Sequence, residues 1–172
     1  MGESQIKGLA TADIMDTHAD AAQVLAQGLV HFGGETVFAG RLVLVQCFED
    51  NSKVKVLLNQ SGKDANGQGQ ILVVDGRGSM QCALLGDQIA SAAVDNGWSG
   101  IVINGCVRDS AILATLPIGV LALGSTPRKS VRRGAGEAHL ARMAFFGITV
   151  NAGAVGYVDT DGMVILPNFV LQ

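Results

Sequence analysis

In the run LLGDQIASAAVDNGWSGIVINGCVRDS, from Leu84 to Ser110, Asp87 follows a glycine at a helix start and Asp109 follows Arg108 at the end of an apolar strand. Only 16% of the chain is charged, so three ionic groups at the ends of apolar elements call for a chemical explanation. Arg108 offers a planar fork that can grip a carboxylate or polarise a ketone oxygen. Asp109 is a hard oxygen donor suited to Mg²⁺ or Mn²⁺, ions that take one or two protein carboxylates and keep several waters. Asp87 is placed to orient or deprotonate a metal-bound water. The first free backbone N–H groups of the helix, at Gln88 and Ile89, would favour a carboxylate or phosphate. Together these groups would bind a small 2-oxo acid and stabilise the enolate formed when a bond beside its carbonyl breaks. The spacing alone also describes a surface ion pair between Arg108 and Asp109, with Asp87 serving the helix dipole.

The elements that must position these residues follow from hydrophobic patterning. GQILVVD (Gly69–Asp75), GIVING (Gly100–Gly105) and GVLALG (Gly119–Gly124) are short apolar runs bounded by glycine, as expected of strands buried on both faces of a parallel sheet. GDQIASAAVDNGW between the first two has helical periodicity with a stop at Gly97, and RDSAILATLPI between the second and third closes before Pro117. Both act as crossover helices. TVFAGRLVLVQCF (Thr36–Phe48) predicts a further strand, with a bulge or bend at Gly40. EDNSKVKVLLNQ predicts a short helix capped by Asp50 or Asn51 and ending near Gly62. GYVDTDGMVILP predicts a hairpin with Asp161 and Gly162 at its tip. The expected architecture is one α/β domain over residues 1–172, its core about 11–166, with a partly parallel central sheet, flanking helices and an antiparallel C-terminal β portion. In such sheets ligands gather at the carboxyl ends of the strands, where Gly76–Asp87 and Cys106–Ser110 both fall.

Composition narrows the classes of function. With 172 residues, 48% of them hydrophobic, the chain can bury a sizeable core. A net charge of −3 disfavours a nucleic-acid-gripping face. The only basic cluster, Arg128, Lys129, Arg132 and Arg133 within PRKSVRRGAGE, reads as a solvated loop or a subunit contact. No apolar run is long enough to span a bilayer and the first residues lack a secretory h-region, so a cytoplasmic location is expected. Cys47, Cys82 and Cys106 read as core residues, and His18, His31 and His139 lack metal-ligand spacing. DGRGS (Asp75–Ser79) lacks the full dinucleotide-loop pattern.

FGG (Phe32–Gly34), FAG (Phe38–Gly40), CFEDN (Cys47–Asn51), ILVVDGRGS (Ile71–Ser79), ALLGD (Ala83–Asp87), GCVRD (Gly105–Asp109) and DGMVI (Asp161–Ile165) together resemble the RraA-like family. That family contains the regulator of ribonuclease activity A and the 4-hydroxy-4-methyl-2-oxoglutarate aldolases, and the resemblance runs from about Thr11 to Ile165. It implies a swivelling β/β/α, phosphohistidine-domain-like fold. The family's metal-dependent aldolases carry an acidic residue, twenty intervening residues, then Arg-Asp; Asp87, Arg108 and Asp109 complete that pattern. The resemblance implies that the backbone of Gly86–Ile89 and the Arg108 side chain hold pyruvate. It also implies that Asp109 binds Mg²⁺ or Mn²⁺ and that Asp87 activates a water.

The activity so implied is cleavage of 4-hydroxy-4-methyl-2-oxoglutarate or 4-carboxy-4-hydroxy-2-oxoadipate to pyruvate through a metal-stabilised enolate, with oxaloacetate decarboxylation alongside. The resemblance further implies a homotrimer, or trimers stacked as a hexamer, with the site near a subunit interface. Its alternative is a non-catalytic regulator that binds ribonuclease E by protein contact. Some members carry a menaquinone-pathway methyltransferase label, for which this sequence has no glycine-rich methyl-donor loop.

Overall fold

The computed structural model describes residues 9–25, 28–168 and 170. In chain order the elements are α1 (Thr11–His18), β1 (Gln23–Val24), β2 (Val30–His31), β3 (Phe38–Gln46), α2 (Ser52–Leu58), β4 (Ile71–Asp75), β5 (Ala83–Leu85), α3 (Asp87–Asp95), β6 (Gly100–Val107) and α4 (Ser110–Leu113). They continue with β7 (Gly119–Ser125), β8 (Glu137–Ala138), β9 (Arg142–Phe145), β10 (Ile148–Asn151), β11 (Val155–Asp159) and β12 (Gly162–Leu166).

β3, β4, β6 and β7 run parallel in that spatial order, and their apolar residues divide by period two. Val45, Leu72, Val74, Ile101, Ile103, Val120 and Ala122 face the helices, joined by Leu57, Leu58, Ile89, Ala93 and Trp98. Leu42, Leu44, Ile71, Val73, Val102 and Leu121 face the other way, onto Phe38, Phe145 and Val150. Burial on both faces explains the unbroken apolar runs. Antiparallel strands extend the sheet: β11, β12 and β1 beyond β3, and β2 beyond β7. The result is the mixed α/β sheet with few helices that the sequence leads one to expect. Among the described residues, no helix is long and apolar enough to cross a membrane.

Several boundaries differ from expectation for local reasons. α2 stops at Leu58, short of Gly62, which instead lies beneath the Trp98 ring in space that a Cβ would occupy. Gly40 makes neither bulge nor bend. It pairs in regular register with Gly156, and its missing Cβ lets the Gly69 carbonyl approach. The C-terminal hairpin turns on Thr160 and Asp161, one residue earlier than expected, with Gly162 already paired to Asp159. The Asp161 N–H donates to Asp159 Oδ1, so Asp159 opens the turn. β5, read from sequence as part of a loop, pairs parallel with the end of β6. α4 is a single turn, shorter than the crossover expected there.

α1 is held by a residue far along the chain. Thr11 N–H and Oγ1 donate to the two carboxylate oxygens of Asp159, each at 2.8 Å. Burial alone would push this carboxyl up, but the bonds from Thr11, Asp161 and Gly162 outweigh it and hold its pKa below the usual value.

Candidate active site

The carboxyl ends of β3, β4, β5, β6 and β7 bring Asp50, the Gly86–Ile89 turn, Arg108 and the segment after β7 to one edge of the sheet. A cavity of about 580 Å³ opens there, and Gly86, Asp87, Gln88, Ile89 and Arg108 all line it. Asp109 stands behind that wall. Its Oδ2 accepts the Asp87 N–H at 3.2 Å and lies 3.6 Å from Arg108 Nε. The Asp109 backbone is left-handed, φ 58°, a conformation that aspartate tolerates better than most residues. This turn lets β6 end just before Arg108 while the Asp109 carboxylate doubles back to the α3 N-terminus.

Gly86 makes that packing possible. Its φ of −131° suits any residue, but a Cβ built there would fall 2.7 Å from Asp109 Oδ2 and 3.3 Å from Arg108 Nε. Only glycine admits both side chains. Sequence reasoning put the Gln88 N–H toward the crevice as a free donor; in the structure it donates to Asp87 Oδ1 at 2.8 Å. Asp87 thus folds back on its own helix turn, which keeps its carboxylate at the cavity wall.

A further part of the lining is the basic segment after β7, whose sequence suggests a solvated loop or a subunit contact and which pairs with Ala83 of β5. Lys129, Ser130, Arg132 and Arg133 line the cavity, together with Asn51. Asn51 is buried and ties the walls together, its Nδ2 donating to Leu84 O and its Oδ1 accepting from Arg132 Nε, both at 3.2 Å. Asp50, 2% exposed, holds the segment's backbone by accepting N–H bonds from Arg133 at 2.8 Å and Ala135 at 3.3 Å. Burial raises the Asp50 pKa, yet the Ser52 hydroxyl and N–H and the Arg133 and Ala135 N–H groups together bring it down to about 2. The sequence signal for this wall was the sole basic cluster in an acidic chain.

Four cationic side chains and one carboxylate line the cavity of a chain whose net charge is −3. Such a cavity attracts anions. Among the described residues, no group of three or more His, Cys, Asp or Glu is arranged to hold a metal. Asp109, with its side chain 33% exposed, offers a single hard carboxylate, the donor set of a Mg²⁺ or Mn²⁺ that completes its shell with water and ligand. The cysteines lie elsewhere and are buried, and burial above all pushes the Cys47 thiol up to about 12, far from a reactive thiolate. His31 packs through a ring nitrogen 2.9 Å from the Asp159 carbonyl oxygen.

The RraA-like family model, described as Aldolase/RraA, matches residues 11–165. The chain belongs to the RraA-like family. A relative from Laribacter hongkongensis (strain HLHK9), named "Putative 4-hydroxy-4-methyl-2-oxoglutarate aldolase", is 48% identical over 158 residues, covering 92% of this chain and 96% of its own. The RNA-processing inhibitor RraA from Thermus thermophilis superimposes with a TM-score of 0.88 at 38% identity, over 95% of this chain and 96% of its own. A Geobacillus kaustophilus HTA426 structure named S-adenosylmethionine: 2-dimethylmenaquinone methyltransferase matches equally well, with a TM-score of 0.88 at 38% identity over 94% of this chain and 97% of its own. One RraA-like fold thus carries three different functional names, so the choice among them here falls to this chain's own site.

Proposed function

We propose that this RraA-like protein is a carbon–carbon lyase. It would cleave 4-hydroxy-4-methyl-2-oxoglutarate or 4-carboxy-4-hydroxy-2-oxoadipate to pyruvate and decarboxylate oxaloacetate, with Mg²⁺ or Mn²⁺ as cofactor. The observation that carries this reading is Arg108 and Asp87 on one cavity wall, with the Asp109 carboxylate directly behind them between Arg108 and the α3 N-terminus. A cationic cavity also suits a 2-oxo acid better than the flat, largely uncharged adenosine of a methyl donor.

Arg108 holds the carboxylate or the carbonyl oxygen of the 2-oxo acid, and Asp109 keeps the guanidinium in place. The Asp87 and Gln88 N–H groups are bonded to Asp109 and Asp87, so within Gly86–Ile89 it is the positive end of the α3 dipole that faces the same oxygens. Asp87 takes the proton of the C4 hydroxyl, directly or through a water, as the C3–C4 bond breaks and its electron pair passes into the pyruvate enolate. The proton returns to C3 and releases pyruvate. Asp109 would hold the divalent cation, whose contribution when bound is Lewis-acid stabilisation of negative charge on the 2-oxo acid.

Pyruvate release from oxaloacetate and from 4-hydroxy-4-methyl-2-oxoglutarate, measured with Mg²⁺, Mn²⁺ or a chelator, tests this reading. Turnover lost with the chelator is the expected result. The likeness to the inhibitor RraA supports a second reading, a regulator that binds ribonuclease E. Capture of ribonuclease E by a folded, metal-loaded protein that turns over neither substrate would favour it instead.

A further inference from the structure

DGRGS (Asp75–Ser79), the loop without a full dinucleotide pattern, closes around the strand that leads to Arg108. Gln46, Asp75 and Asn104 are Cα partners across β3, β4 and β6. Each follows a residue that faces the helices, Val45, Val74 and Ile103, so the three side chains form a row on the other face of the sheet. Asp75, 8% exposed, joins the row. Its Oδ2 accepts from Gln46 Nε2 at 3.0 Å, and its Oδ1 accepts from Asn104 Nδ2 at 3.0 Å and from the Arg77 N–H at 2.9 Å. A buried polar network satisfied in this way fixes the relative positions of the elements it joins. None of the three residues lines the cavity at Arg108.

β6 is irregular at the point that Asp75 holds. From Ile103 to Cys106 it advances three residues while β7, from Ala122 to Gly124, advances two, so Asn104 and Gly105 together oppose Leu123. Such a bulge bends its strand and redirects the side chains beyond it. The loop after β4 grips the bulge by its backbone as well. The Gly78 N–H donates to Asn104 O at 3.1 Å, and a Cβ at Gly76 would fall 2.7 Å from that oxygen and 2.6 Å from Leu84 Cδ1. Leu84 packs between Gly76 and Gly105, and the next residue, Leu85, accepts the Arg108 N–H on its carbonyl at 2.9 Å. The grip on Asn104 therefore reaches Arg108 by two routes, along β6 and across from β5.

We propose that Asp75 is a positioning residue for the Arg108 site: through Asn104 it fixes the bulge from which β6 delivers Arg108 to the cavity. The proposal rests on the lyase reading for its activity readout but not for its structural one. The bond from Gln46 ties the same carboxylate to β3, on the side away from β6, and carries none of this positioning.

Asn104→Ala and Gln46→Ala each remove one bond to Asp75 and leave the bond from the Arg77 N–H in place, so both are expected to fold with similar losses in urea midpoint. Pyruvate release from oxaloacetate with Mg²⁺, and hydrogen exchange of the Arg108 amide without substrate, separate them. Asn104→Ala is expected to lose about tenfold or more in kcat/KM, the effect of a small displacement of a group that must sit in productive geometry. Its Arg108 amide is expected to exchange roughly tenfold faster, the scale of one hydrogen bond to a charged group. Gln46→Ala is expected to match wild type in both. Losses shared equally by the two variants would reduce Asp75 to a stability residue and overturn the proposal, as would an Asn104→Ala protein with wild-type turnover and exchange. A wild type that releases no pyruvate removes the lyase reading alone, and the Arg108 exchange rates then decide the positioning.

Discussion

Gly86 shows how a residue without a side chain can decide a site. Its backbone conformation is open to any amino acid, so a Gly86→Ala chain is expected to fold, yet the new methyl group would meet Asp109 Oδ2 and Arg108 Nε. Those two groups must then move, and the bond from the Asp87 N–H breaks. The variant is expected to keep a thermal midpoint close to wild type, since the half-buried, solvent-screened Arg108–Asp109 pair contributes about 0–1 kcal/mol. It is expected to lose at least about a hundredfold in kcat/KM, the cost of displacing groups that must sit in productive geometry. A large fall in midpoint with activity intact would contradict this account of Gly86. The sequence placed Asp87, Arg108 and Asp109 because ionic residues interrupt apolar runs there. It offered Asn51 only as a helix cap, because the bonds that give it a place in the site run to Leu84 and Arg132, distant in the chain, and leave no local pattern.

Among the elements, the segment from Lys129 to Ala135 has no regular structure beyond isolated bridges and depends on a buried carboxylate for its shape. The folded-state pKa of Asp50, about 2, lies below its ordinary 3.8, so its contribution is complete above pH 4 and is lost as pH falls through 2. Asp50→Asn removes the charge that these N–H groups require. It is expected to lower stability at pH 7 by up to about 2 kcal/mol, and to flatten the acid limb of the stability curve between pH 4 and pH 2 in urea titrations. An acid limb as steep as wild type would contradict the role given to Asp50. Patterning revealed the buried strands well, because burial on both faces writes a continuous apolar run. It failed on β5, a three-residue strand too short to show a period, and on α1, whose cap comes from Asp159 rather than from its own first turn. The glycines that open GIVING and GVLALG read as bounds of the apolar runs, but Gly100 and Gly119 open β6 and β7 beneath the Phe38 ring, in space a Cβ would fill.

At the scale of the whole molecule, the charge distribution opposes the net charge. A chain of net charge −3 concentrates four cations around one cavity, so substrate anions are drawn to a local field against the average repulsion. Raising ionic strength from 0.01 M to 0.15 M shortens the screening length from about 30 Å to about 8 Å, and kcat/KM for a dianionic substrate is expected to fall severalfold while kcat holds. A salt-independent kcat/KM would place the ligand outside this field. The most direct test of the central claim is Mg²⁺-stimulated pyruvate release from oxaloacetate by wild type, Asp109→Ala and, as a control outside the cavity lining, Arg41→Ala, each with a matched melting curve. The lyase account expects stimulation in wild type and Arg41→Ala and none in a folded Asp109→Ala; stimulation that survives in Asp109→Ala, or that is lost equally from Arg41→Ala, would contradict it.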